Sequence, residues 1–167
     1  TTAGDAVRAR TARHVQADLA AIGVEVRPDL VPPEILFART AEGPLAGRRF
    51  GVALVSTRAG VLPPAADYLC RAIPGPSDWT LPNHTGWCDP EYDRQAWAAL
   101  TALERPASLP AFLAAQRRWS DAIPVVPLAP RLRLGAAAPY VTGLAPDPSA
   151  ASLTWNVERW ALELPRR

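Results

Sequence analysis

Between Thr57 and Pro90 the chain carries six prolines and three glycines. Proline fixes φ and removes an amide donor, and glycine opens the left-handed region, so no long helix or central strand can run through this stretch. Only Ala65 to Ala72 remains a candidate for helix. Long irregular segments inside compact domains are usually functional or disordered. Tyr68, Trp79 and Trp87 fall within this one, and large aromatics argue against disorder. The regular elements must therefore lie before and after it.

Before it, Asp5 can cap a helix whose stripe is Val7, Thr11, Val15, Leu19 and Ile22, with Gly23 as the stop. Val24-Glu25-Val26-Arg27 alternates like a half-buried strand. Pro32-Pro33 opens a short helix through about Thr40. A loop from Glu42 to Arg49 leads to Phe50–Val55, continuously apolar like a strand covered on both faces. That order implies an α/β fold with parallel pairing and helices on the sheet faces. After the irregular stretch, Asp89-Pro90 starts a helix with Tyr92, Ala96, Ala99 or Leu100, and Leu103 on one face. Ser108–Asp121 makes another, with Phe112, Gln116, Trp119 and Ile123 aligned. Val125-Val126-Pro127-Leu128 reads as an edge strand. The chain closes on an extended stretch from Leu153 to Leu164, bearing Trp155 and Trp160.

Composition excludes several classes. The 167 residues suit one domain with a real core. Hydrophobic residues make up 49% and charged residues 20%, as in ordinary globular proteins. The net charge of +2 is too small to point to nucleic acid or an anionic membrane. Every cation is Arg, and only Arg48-Arg49, Arg117-Arg118 and Arg166-Arg167 are doublets, whereas a nucleic-acid surface would cluster them. No apolar run approaches a membrane span. The polar, Arg-rich opening from Thr1 to Arg13, with a helix already under way, is expected of a piece excised from a longer chain.

Several motifs now align with one family. Gln16-x-x-Leu19-x-x-Ile22-Gly23-Val24-x-Val26 matches a helix running into a strand. Phe50-Gly51-Val52-Ala53-Leu54 matches an apolar strand. Asn83-x-x-Gly86-Trp87-Cys88-Asp89-Pro90-Glu91-Tyr92-Asp93 matches a signature before the next helix. Gln116, then Ala122-Ile123-Pro124-Val125-Val126-Pro127-Leu128, and Val141-x-Gly143 follow in order. Spread from Ala12 to Gly143, they resemble the second lobe of bacterial extracellular solute-binding proteins of family 5. These are the peptide- and nickel-binding receptors of ABC importers, and the Trp-Cys pair is similar to the dipeptide-binding branch.

The resemblance implies one lobe of a periplasmic-binding-protein type II architecture, with a mixed sheet flanked by helices. Residues 1–150 would form the C-terminal lobe, and residues 151–167 a return segment towards an N-terminal lobe. It implies a peptide or other small solute, an ABC permease as partner through the full-length protein, and a monomer. The implied location is periplasmic or extracellular, compatible with a lipoprotein anchor. One departure matters. Where the family often has "W-x-A-D-Y-P-D-P", this chain has Thr57-Arg58-Ala59-Gly60-Val61-Leu62-Pro63-Pro64, without the aromatic or the ligand-meeting acid.

Candidate ligand-binding residues are Arg58, Trp79, Asn83 and Trp87. Arg58 can meet a carboxylate or phosphate in bidentate fashion, or stand as a solvated surface residue. Trp79 and Trp87 can wall a cleft, or simply roof the core. Asn83 opens the sequon Asn83-His84-Thr85, and its plain reading is a turn residue. Cys70 and Cys88 form a candidate disulfide closing the loop around Trp79, against the alternative of two separate buried thiols. A metal set of His84, Cys88, Cys70 and Asp89 lacks any C-x-x-C or H-x-x-x-H pair, so no metal or cofactor is expected.

Asp89, Glu91 and Asp93 sit at a helix start, where carboxylates cap and complement the dipole rather than catalyse. With no G-x-S-x-G, P-loop, H-E-x-x-H or dinucleotide fingerprint, an enzyme is not expected. The remaining alternative is a ligand-sensing regulatory module built on the same lobe.

Overall fold

The computed structural model describes residues 1–57, 64–129, 136–147 and 154–163. They fall into two compact units. The first joins Thr1–Ser56 to Ala65–Val125, and the second joins Thr57–Pro64 to Val126–Arg167.

In the first unit, α1 spans Ala6–Ala21. Asp5 caps it as expected, its carboxylate accepting from the Val7 and Arg8 amides. Gly23, at φ +83°, ends it. No residue of α1 is fully buried, so its apolar stripe finds no core of its own. Instead Gln16 Nε2 donates to the Val26 carbonyl at 2.8 Å and ties the helix to the segment that follows. A four-residue helix, α2 (Pro33–Leu36), buries Leu36.

The packed centre comes from the irregular stretch and the two helices after it. Two 3-10 turns, Ala65–Tyr68 and Cys70–Ala72, lie against α3 (Pro90–Thr101) and α4 (Arg105–Ala122). Ala65, Leu69, Ala72, Tyr92, Ala96 and Ala115 form the buried cluster, with Tyr68, Trp87, Phe112 and Trp119 packed against it. Two edge-to-face aromatic pairs close it, Tyr68 with Trp119 at 5.5 Å and Trp87 with Tyr92 at 4.8 Å. Asp89 caps α3 through the Glu91 and Tyr92 amides. It also takes a hydrogen bond from Arg118 Nε of α4 at 2.7 Å, which holds its carboxyl below the usual range. Helix α4 starts three residues earlier than expected because Pro106, like Pro90, suits a first turn. Leu103 lies beyond the end of α3 and is exposed rather than part of its face.

Tyr92 is 3% exposed, and its hydroxyl donates to the Ala65 carbonyl at 2.8 Å. Burial, with smaller contributions from Tyr68, Asp93 and Asp67, pushes its phenol up to about 12. An unfolded tyrosine releases its proton near 10. The stability from this group is therefore complete below about pH 10 and is lost as pH rises to about 12. Tyr92→Phe is expected to lose about 1 kcal/mol at neutral pH and to show less alkaline loss than the parent. Tyr68, raised by its own burial, supplies the remainder. Denaturant unfolding at neutral and strongly alkaline pH checks both effects.

The expected strands at Val24–Arg27, Phe50–Val55 and Val125–Leu128 pair with nothing among the described residues. The parallel sheet inferred from element order is therefore not formed there. A strand is held by its ladder, and an apolar sequence supplies no partner by itself. Val52, in the middle of the most apolar run, is 78% exposed. One isolated parallel bridge joins Thr2 to Val31.

The second unit holds the sheet that is present. β1 (Val141–Thr142) pairs antiparallel with β2 (Ala161–Leu162), in the register Val141 to Leu162. Residues 155–163 thus fold back onto residues 140–145 within this unit. Buried Asn156 donates to the Gly143 carbonyl at 2.8 Å and accepts from Trp160 Nε1 at 3.0 Å. Gly143, at φ +82°, lies so close to Arg159 that a Cβ would run into that residue's carbonyl oxygen. This accounts for the glycine of the Val141-x-Gly143 motif. Gly143→Ala is expected to destabilise this hairpin by about 1–3 kcal/mol. Hydrogen exchange at the Val141 and Glu163 amides reads the loss.

Candidate ligand-contacting groove

The Cys70–Cys88 bond builds the irregular stretch into a defined loop. The two sulfurs are joined, with the Cα atoms 4.5 Å apart and a sequence separation of 18. The Cys70 amide donates to both Asp93 carboxylate oxygens, at 3.0 and 3.1 Å, anchoring the 3-10 turn to the start of α3. Arg71 lies over the Trp97 ring at 4.4 Å, a second link to that helix. Inside the loop, Gly75 and Asp78 exchange backbone hydrogen bonds. The Asp78 carboxylate accepts from the Thr80 amide and hydroxyl, which lower its pKa, with Arg39 adding to the effect.

Asn83 is fully buried. Its amide nitrogen donates to the carbonyls of Leu69 and Trp87, and its oxygen accepts from the Thr85 hydroxyl. Its backbone amide donates to Ala72. In this structure Asn83 braces the loop from inside. Trp87 packs edge-on against Tyr92 and is part of the core's roof. Much of the signature from Asn83 to Asp93 therefore has architectural work: Asn83 clamps, Asp89 caps, Tyr92 fills and Asp93 anchors. Arg58 lies outside the described residues.

Trp79 stands differently. It borders a groove of about 210 Å³ whose other side is the segment after α2. Leu45 and Ala46 give it a buried, apolar lining, to which Phe37 and Pro82 also contribute. The chain returns there because the Leu45 amide donates to the Leu36 carbonyl and the Gly47 amide to Gly43. Arg39, Thr80 and His84 supply the polar lining. Burial pushes the His84 imidazole below its ordinary value, favouring the neutral ring.

Of the three ligand candidates among the described residues, the groove includes Trp79. Phe37, Arg39, Leu45 and Ala46 carried no local signal, because only the tertiary return brings them to the loop. In sequence, His84 offers itself only as a metal-ligand candidate. With Cys70 and Cys88 bonded to each other, neither offers it a thiolate. Among the described residues no three His, Cys, Asp or Glu side chains converge. A second depression, at Asp89, Arg118 and Asp121, is the ion-paired start of α3.

Comparison with known proteins gives one distant relationship. No protein-family profile matches the chain, and no solved structure does. The chain is similar to part of a bacterial ABC transporter periplasmic-binding protein. That protein is the probable ABC transporter periplasmic-binding protein SapA of Escherichia coli (strain K12). The two are 30% identical over 143 residues, which cover 83% of this chain and 24% of SapA. The chain thus spans about a quarter of the relative's length.

Proposed function

We propose that this chain is part of the solute-binding component of an ABC importer, of the family 5 type, and contributes one of two lobes that close on a solute. The observation that carries this reading is the similarity to a periplasmic-binding protein across 83% of the chain. It agrees with the family motifs running in order from Gln16 to Gly143. On this reading the unpaired apolar runs, above all Phe50–Val55, are strands of a mixed sheet completed by residues outside this chain. The groove beside Trp79 forms part of the binding wall. A membrane permease receives the loaded receptor in the periplasm or at the cell surface, and no chemistry is performed on the solute.

Equilibrium dialysis of the full-length protein against pools of peptides, sugars and metal chelates tests this. The expected result is retention of one solute class, recovered unchanged. Recovery of a chemically altered solute would sink the receptor reading. Retention of nothing would favour a regulatory module on the same lobe.

A further inference from the structure

We infer that the groove beside Trp79 takes an aromatic or branched apolar group carried on a carboxylate, with the acid turned to Arg39; this rests on the receptor reading above. The floor, Leu45 and Ala46, is buried and without polar side chains, so it rewards contact with hydrocarbon. Phe37 and Trp79 offer ring faces and edges on which a planar group packs. The volume, about 210 Å³, is below the ~300–1,000 Å³ of sites that enclose whole drug-sized ligands. It accommodates one side chain or one small ring, not an extended chain.

The polar lining decides the charge. Among the described residues no carboxylate lines the groove, and Arg39 does. Among the described residues Arg39 has no hydrogen-bond or ion-pair partner. Asp78, the acid close enough to feel Arg39, has its carboxylate turned to the Thr80 amide and hydroxyl. A guanidinium with free donors matches a carboxylate in bidentate geometry. An amine would meet Arg39 with no acid in the lining to offset it. The neutral His84 ring can donate or accept a hydrogen bond without changing this preference.

The acid can arrive free or as the last residue of a peptide, and the two share this chemistry. Calorimetric titration of the full-length protein with 3-phenylpropionate, glycyl-phenylalanine, 3-phenylpropionamide and phenethylamine separates the possibilities. One or both acids are expected to bind, the tighter naming the source, while the amide binds more weakly and the amine not at all. Arg39→Gln, an exposed substitution that leaves the floor intact, is expected to weaken the acid about tenfold to a hundredfold. Binding of phenethylamine as tight as that of the acids, or an unchanged affinity in Arg39→Gln, overturns the assignment. Should some other solute bind the parent and Arg39→Gln alike, the receptor reading stands and the groove assignment falls. Should no solute of any class bind, both fall.

Discussion

Reduction of the Cys70–Cys88 bond is expected to destabilise the first unit by about 3 kcal/mol, lowering its unfolding midpoint by roughly 10 °C. The size follows from the chain closed by the bond, with 18 residues of separation, whose freedom in the unfolded state the bond removes. The loop between the cysteines has little regular structure to replace it. Beyond the bridge it holds mainly to Asn83, to the Gly75–Asp78 turn and to the hydrogen bond from Arg48 to the Pro74 carbonyl. Replacing both cysteines with serine is expected to give the same loss. Since Trp79, Thr80, Pro82 and His84 all ride on this loop, any affinity at the groove should fall with it. Calorimetric scans of oxidised, reduced and doubly substituted protein measure the effect. Identical midpoints in all three would mean that the Asn83 and Asp93 hydrogen bonds hold the loop without help.

Asn83→Ala is expected to cost about 2–4 kcal/mol, by a different route. The side chain is fully buried and serves two carbonyls from different places, Leu69 just before the loop and Trp87 at its end. Alanine leaves both acceptors without a partner, releases the Thr85 hydroxyl and opens a small cavity. Asn83→Asp keeps the shape but turns two donors into acceptors facing carbonyls. It is expected to be at least as destabilising as alanine. A milder result for aspartate than for alanine would show that volume, not hydrogen bonding, is what Asn83 supplies. Urea unfolding of the two variants decides it.

The local elements were the most legible. Asp5 and the Asp89-Pro90 pair announce helices because capping is settled within one turn. The α3 face carrying Tyr92 and Ala96 was likewise visible in its spacing. Burial of α1 was not, since a stripe states which side wants cover but not whether anything comes to cover it. The same limit applies to Phe50–Val55: its residues favour a ladder, and a ladder requires a second strand. The site divided along the same line. An aromatic in a proline-broken loop singled out Trp79. The floor at Leu45 and Ala46 became visible only once the segment after α2 had folded back. Asn83 reads in sequence as a ligand candidate or a loop or turn residue, since polar side chains usually are exposed, and its burial depends on two carbonyls meeting in space.

The sequence relationship and the groove come together in one claim, that this polypeptide holds a small solute without transforming it. The thermal unfolding midpoint of the full-length protein, taken with and without pooled peptides, sugars, metal chelates and aromatic acids, tests it most directly. The account predicts a rise with one pool, corresponding to about 2.7 kcal/mol of stabilisation at roughly a hundredfold excess over Kd. A midpoint unmoved by every pool, in protein that unfolds cooperatively, would contradict it.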